Sequence, residues 1–117
     1  MAVSFATVRQ LAGAFPGVTE ALCYGTPTLY AGKTILARLW EDGETLAIKV
    51  PMEARESYLQ ADPDAFFLTD HYRKHPMMLV HLPSVDVHVL KPVVEQAWRL
   101  VAPARQRAAH DKATEQK

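Results

Sequence analysis

Residues 34–50 read TILARLWEDGETLAIKV. Asp42-Gly43 lies here between two runs that alternate apolar side chains with others. Asp-Gly in that setting is the strongest short-range signal for a β-hairpin. With the turn at those two residues, Leu39 faces Leu46, Ala37 faces Ile48 and Ile35 faces Val50, all on one side of the sheet. The opposite side carries Leu36 facing Lys49, Arg38 facing Ala47 and Trp40 facing Thr45. Side chains alternate with a period of two, so a slip of one residue would throw the apolar set onto the wrong side. Turn and pattern thus agree on one register, and the sheet is antiparallel.

Outward from this hairpin, residues 28–31 form another extended run ahead of Gly32. Tyr24-Gly25-Thr26-Pro27 reads as a turn: the glycine takes backbone shapes other residues resist, Thr26 is pushed extended by the proline, and Pro27 starts an edge strand. Residues 4–15 predict a helix capped by Ser4, with Phe5, Val8, Leu11, Ala12 and Phe15 on one stripe and Pro16-Gly17 as the stop. Downstream, Pro51 opens a second helix over 52–61, with Met52, Arg55, Tyr58 and Leu59 along one side, and Asp62-Pro63 ends it. Residues 66–69 and 77–82 predict two more strands, joined by the loop TDHYRKHP. The last helix holds Val93, Val94, Ala97, Trp98, Leu100 and Val101 and ends at Pro103. Either Asp86 caps it and Pro92 lies inside, or Pro92 opens it and 87–90 form a separate turn. The class is α+β, an antiparallel sheet with helices covering one side. Residues 1–103 make a single domain, and the polar tail 104–117 is expected to fray.

The chain has 117 residues, enough for one real core. Lysine plus arginine and aspartate plus glutamate number 13 each, so no bulk positive charge is present to grip nucleic acid, although a local basic patch is allowed. Cys23 is the single cysteine and can form neither an internal disulfide nor a thiolate metal site alone. The N-terminal MAVSFATVRQ lacks a basic-then-apolar signal, and no apolar run reaches membrane-spanning length. The expectation is a soluble cytoplasmic protein with no membrane association.

Several short runs occur in an order that is characteristic together: Tyr24-Gly25-Thr26-Pro27, Gly32-Lys33, Arg38-Leu39, Asp42-Gly43-Glu44-Thr45-Leu46, Phe66-Phe67, His71-Tyr72 with Pro76 downstream, and Ala97-Trp98. This pattern resembles the MmcQ/YjbR family over roughly residues 4–107. The resemblance implies a CyaY-like, frataxin-like fold with an antiparallel sheet and helices on one side, and it implies DNA binding. It brings no catalytic motif. Frataxins present carboxylates along the first helix for iron, but residues 4–15 here contain no Asp or Glu, so no hard-oxygen iron site can be built there.

The remaining chemistry is sparse. His71 and His75 have helical spacing, but Arg73 and Lys74 lie between them and oppose a cation, no Glu follows His71, and Pro76 disfavours a helix at His75. His81 falls in a strand. No metal or cofactor is expected. Cys23 has no base tied to it by sequence, and the acidic residues form no pair suited to catalysis, so no catalytic residue is assigned and the chain is not read as an enzyme. What is left is a cationic and aromatic surface. Arg38, Trp40 and Lys49 share the non-core side of the hairpin, and Tyr72, Arg73 and Lys74 lie in the loop before a strand. Such a set offers phosphate contacts and a stacking platform to DNA. The alternative occupant is an acidic protein partner or a small anion.

Overall fold

The computed structural model describes residues 3–115. Helix α1 (Phe5–Gly13) leads into strands β1 (Val18–Cys23), β2 (Thr26–Ala31), β3 (Thr34–Leu39) and β4 (Thr45–Lys49). Helix α2 (Met52–Ala61), strand β5 (Phe66–Phe67), a single helical turn at Asp70–Tyr72 and strand β6 (Met77–His81) follow. A second short turn at Leu82–Ser84 precedes helices α3 (Val87–Val101) and α4 (Ala104–Glu115). All six strands form one antiparallel sheet in the order β1-β2-β3-β4-β6-β5. Helix α3 lies across β3 and β4, α1 packs against α3 and β1, and α2 packs beside β5 and β6. The fold is the expected α+β class.

The central hairpin has the register its sequence dictates: Leu39 pairs with Leu46, Arg38 with Ala47 and Ala37 with Ile48. The connection is wider than two residues. The Trp40 amide donates to the Thr45 carbonyl and the Gly43 amide to the Trp40 carbonyl. Asp42 closes the loop, its Oδ1 accepting from the Glu44 and Thr45 amides at 2.9 Å each and its Oδ2 from the Thr45 hydroxyl at 2.7 Å. These donors hold the Asp42 carboxyl below its ordinary pKa, the Glu44 amide contributing most.

The expected register breaks at one end of β3. Leu29 pairs with Ala37 but Tyr30 pairs with Ile35, leaving Leu36 as the extra residue of a β-bulge. The bulge turns Leu36 into the core, where it is 1% exposed, and leaves Ile35 half-buried. Leu36 therefore does not share a side with Arg38, and the expected facing of Ile35 with Val50 is absent from the ladder. Leu46, Ile48 and Val50 are fully buried under the helices. Each such side chain contributes about 2 kcal/mol through apolar burial.

The strand at 18–23 escapes a periodicity search, because only its end residues are half-buried and the four between are exposed. It forms a hairpin with β2 through Tyr24-Gly25, both at positive φ (51° and 80°), the geometry of a two-residue turn matching sheet twist. Pro27 is consequently not on an edge strand. It sits second in β2 beside Leu22 of β1, outside the β2–β3 ladder, where its missing N–H costs no sheet bond. The strand predicted over 66–69 shrinks to Phe66–Phe67.

Asp86 does cap α3, its Oδ1 accepting from the His88 amide at 2.8 Å, and Pro92 lies inside the helix. The tail is more ordered than its polar sequence leads one to expect. Residues 104–115 form α4 rather than a frayed end, and the helix is anchored without an apolar stripe. Asp111 accepts from Arg99 at 2.8 Å, Arg107 donates to the Ala102 and Arg99 carbonyls at the end of α3, and the His110 ring lies against Phe15 and Trp98. Polar side chains and one imidazole dock this helix, contacts a search for hydrophobic spacing does not register. Residues 116 and 117 lie outside the described range.

Candidate functional site

The alternation that sends Leu46 and Ile48 toward the helices sends Arg38, Trp40, Thr45, Ala47 and Lys49 to the second face of the sheet. Pairing extends this face across β4 to β6, where Ala47 meets Leu79, Lys49 meets Met77 and Thr45 meets His81. On this face Thr28, Ala47 and Leu79 are buried. Residues 70–76 return over this side far enough for the Tyr72 ring to stack on Trp40, with centroids 6.4 Å apart and planes 29° from parallel. Both rings are half-buried, so each keeps part of its surface open.

The 70–76 segment is held by Arg55, which the sequence places along one side of the second helix. Arg55 on α2 points its guanidinium into the loop. Nη1 donates to the carbonyls of Tyr72 (3.2 Å), His75 (2.8 Å) and Met77 (3.2 Å), and Nη2 to that of Arg73 (2.9 Å). A planar guanidinium with its donors fixed in a fork can satisfy carbonyls that face one point. The sequence signal was thin: an arginine on a helix whose other inward positions are apolar or aromatic.

Strand parity thus puts Arg38, Trp40 and Lys49 on one face of the sheet, and the loop that carries Tyr72, Arg73 and Lys74 meets that face through the Tyr72 ring. Their electrostatics are uneven. Arg38 pairs with Glu41 at 2.7 Å, donates to the Cys23 carbonyl at 3.3 Å and lies over the Tyr24 ring at 5.5 Å. Arg73 pairs with Asp70 at 2.8 Å, both side chains well exposed. Lys49 and Lys74 have no acidic partner among the described residues. The Glu41 carboxyl is held low by its own backbone amide and then by Arg38. His71 and His75 stand with ring centroids 5.9 Å apart, and His71 meets Tyr72 edge-on. No group of three or more His, Cys, Asp or Glu side chains converges among the described residues. Cys23 is half-buried and carries no disulfide.

A cleft of about 370 Å³ lies on the helix side, lined by Pro51, Glu53, Ala54, Gln96, Arg99 and Leu100. Its one cation is engaged: Arg99 bonds Glu95 at 3.0 Å as well as Asp111. No helix is long and apolar enough to cross a membrane among the described residues.

The YjbR family model covers residues 13–100. The chain belongs to the YjbR family. Among curated relatives, the uncharacterised proteins Rv2570 of Mycobacterium tuberculosis and Mb2600 of Mycobacterium bovis are each 32% identical over 62 residues, 52% of this chain and 48% of theirs. The chain spans about half the length of the curated relatives it matches. The crystal structure of Deinococcus radiodurans protein DR2400, described by the domain name DUF419, superposes with a TM-score of 0.72 at 21% identity, covering 92% of this chain and 87% of that one. That likeness identifies the YjbR fold shared by the two proteins.

Proposed function

We propose that the second face of this YjbR protein binds nucleic acid weakly and with little sequence preference. The observation that carries the reading is the half-open Trp40–Tyr72 stack, with Lys49 on the same face and Lys74 in the loop that bears Tyr72, neither lysine having an acidic partner among the described residues. An aromatic face accepts any base, and lysines placed beside it meet phosphates. Arg38 and Arg73 add contacts by exchanging their exposed carboxylate partners, since surface pairs hold only about 0–1 kcal/mol each. The zero net charge supports weak rather than tight binding. The face binds and performs no reaction, and a cytoplasmic setting goes with that role.

Fluorescence anisotropy with labelled single-stranded and duplex DNA at low salt tests this. Binding should weaken steeply as salt rises, and Lys74→Ala should reduce the log–log salt slope by about 1. The absence of binding to either probe at low salt sinks the proposal. A second reading draws on the pairing of Arg38 and Arg73 with Glu41 and Asp70, which leaves the face less basic than its residue list suggests. On that reading the occupant is an acidic protein surface or a small anion. A defined partner captured in nuclease-treated extract, and lost on Trp40→Ala, favours it.

A further inference from the structure

We infer that β1 is a self-association edge and that two copies join through antiparallel β1–β1 pairing into one continuous sheet. The two edges of the sheet are unequal. β5 is two residues long and has α2 beside it, whereas β1 runs six residues and pairs only with β2. The direction of its unused hydrogen bonds follows from the ladder. The Gly32 amide donates to the Gly17 carbonyl, and residues 17 and 32 continue the register that pairs Val18 with Ala31. Bonded and non-bonded pairs alternate in an antiparallel ladder. Thr19, Ala21 and Cys23 therefore spend their backbone groups on β2, and Val18, Glu20 and Leu22 direct theirs outward.

The devices that normally blunt such an edge are missing. β1 holds no proline or lysine, and its single charge, Glu20, is neutralised by a two-bond ion pair with Arg9 of α1. Arg9 holds the Glu20 carboxyl below its ordinary pKa. The two most exposed large apolar side chains in the described range are here, Leu22 at 71% and Tyr24 at 89%. Tyr24 also occupies a left-handed turn position (φ 51°) where Asn or Gly is the cheaper residue, so its ring is kept at an energetic cost.

A second copy is the occupant these features fit. A molecule with one open edge closes on itself as a two-fold dimer and leaves no edge for further growth. The register is also constrained. Outward-facing residues must meet outward-facing residues. Centring the axis on Glu20 would set like charges directly across the interface. Centring it on Ala21 places Glu20 across from Leu22 of the second copy, which keeps the like charges apart and gives Leu22 a neighbour.

Ala21 is exposed, so substitutions there leave the monomer fold intact. Sedimentation velocity should find a dimer growing with concentration in the wild type and a folded monomer in Ala21→Lys, its melting temperature unchanged at low protein concentration. In a Cys23→Ser background, Ala21→Cys should form a disulfide-linked dimer under mild oxidation much faster than Ser57→Cys, which sits on the exposed side of α2. A wild type that stays monomeric at every concentration, a dimer that survives Ala21→Lys, or cross-linking no faster at 21 than at 57 overturns the inference.

Discussion

The indole of Trp40 lies on the phenol of Tyr72, which joins the end of β3 to a loop more than thirty residues away in sequence and gives the second face its aromatic centre. The chain's other tryptophan, Trp98, is fully buried, so changes at Tyr72 are read through Trp40 alone. Tyr72→Ala should move tryptophan emission to the red and increase quenching by acrylamide. An unchanged spectrum would show that the stack does not persist in solution.

Arg55 ties the Tyr72 loop to α2 through four carbonyl contacts. Arg55→Ala should destabilise the fold by about 1–3 kcal/mol, because a network of carbonyls loses its charged donor. Arg55→Lys should recover little, since an ammonium cannot present the same fork. Urea denaturation gives the magnitude. Hydrogen exchange at Val50, whose amide donates to the Pro76 carbonyl at 2.9 Å, reports whether loosening reaches the sheet.

Asp42 sets an acid limit on the central hairpin. Its folded pKa lies below the unfolded value because its carboxylate accepts from the Glu44 and Thr45 amides and the Thr45 hydroxyl. A depressed carboxylate stabilises fully above the unfolded pKa, about 4, and loses that contribution as pH falls through the folded value. Asp42→Ala should therefore lower the melting temperature most above pH 4, and the gap to wild type should close in stronger acid. A gap that widens on acidification would contradict the assignment.

Helix α4 is a structural part of the domain. Removing residues 104–117 strips His110 from the Phe15–Trp98 stack and leaves Arg99 without Asp111. The truncation should cost roughly 1–3 kcal/mol, the scale of losing one packed ring and a few surface bonds. Asp111→Asn alone should cost much less. Equal stability of the truncated and full chains would mean that α4 is not docked in solution.

Asp42-Gly43 and the alternation around it carried the hairpin register, because turn chemistry and burial there obey the same rule. Helices α1, α2 and α3 followed from spacing and stop signals. The misses share a cause: they were fixed by contacts that leave no period. The Leu36 bulge shifts one residue out of phase, β1 is mostly exposed and so shows no alternation, and α4 docks by an ion pair, a guanidinium cap and an imidazole. The candidate face was legible as a residue set, since strand parity put Arg38, Trp40 and Lys49 together. Its electrostatics were not, because Glu41 and Asp70 lie close in sequence to the arginines they neutralise but only backbone geometry brings them within reach. Arg55 was hidden for the same reason: its partners are carbonyls, and every residue has one.

The strand order also bears on synthesis. β1 to β4 are laid down side by side as they leave the ribosome, each pairing with the one just made. β6 is made last and must enter between β4 and β5. Until residues 77–81 emerge, the nascent chain presents β4, with Leu46 and Ile48, as a naked apolar edge, and β5 has nowhere to dock. A ribosome stalled between α2 and β6 thus holds a chain whose inner strand is unpaired, a form prone to pairing with other chains.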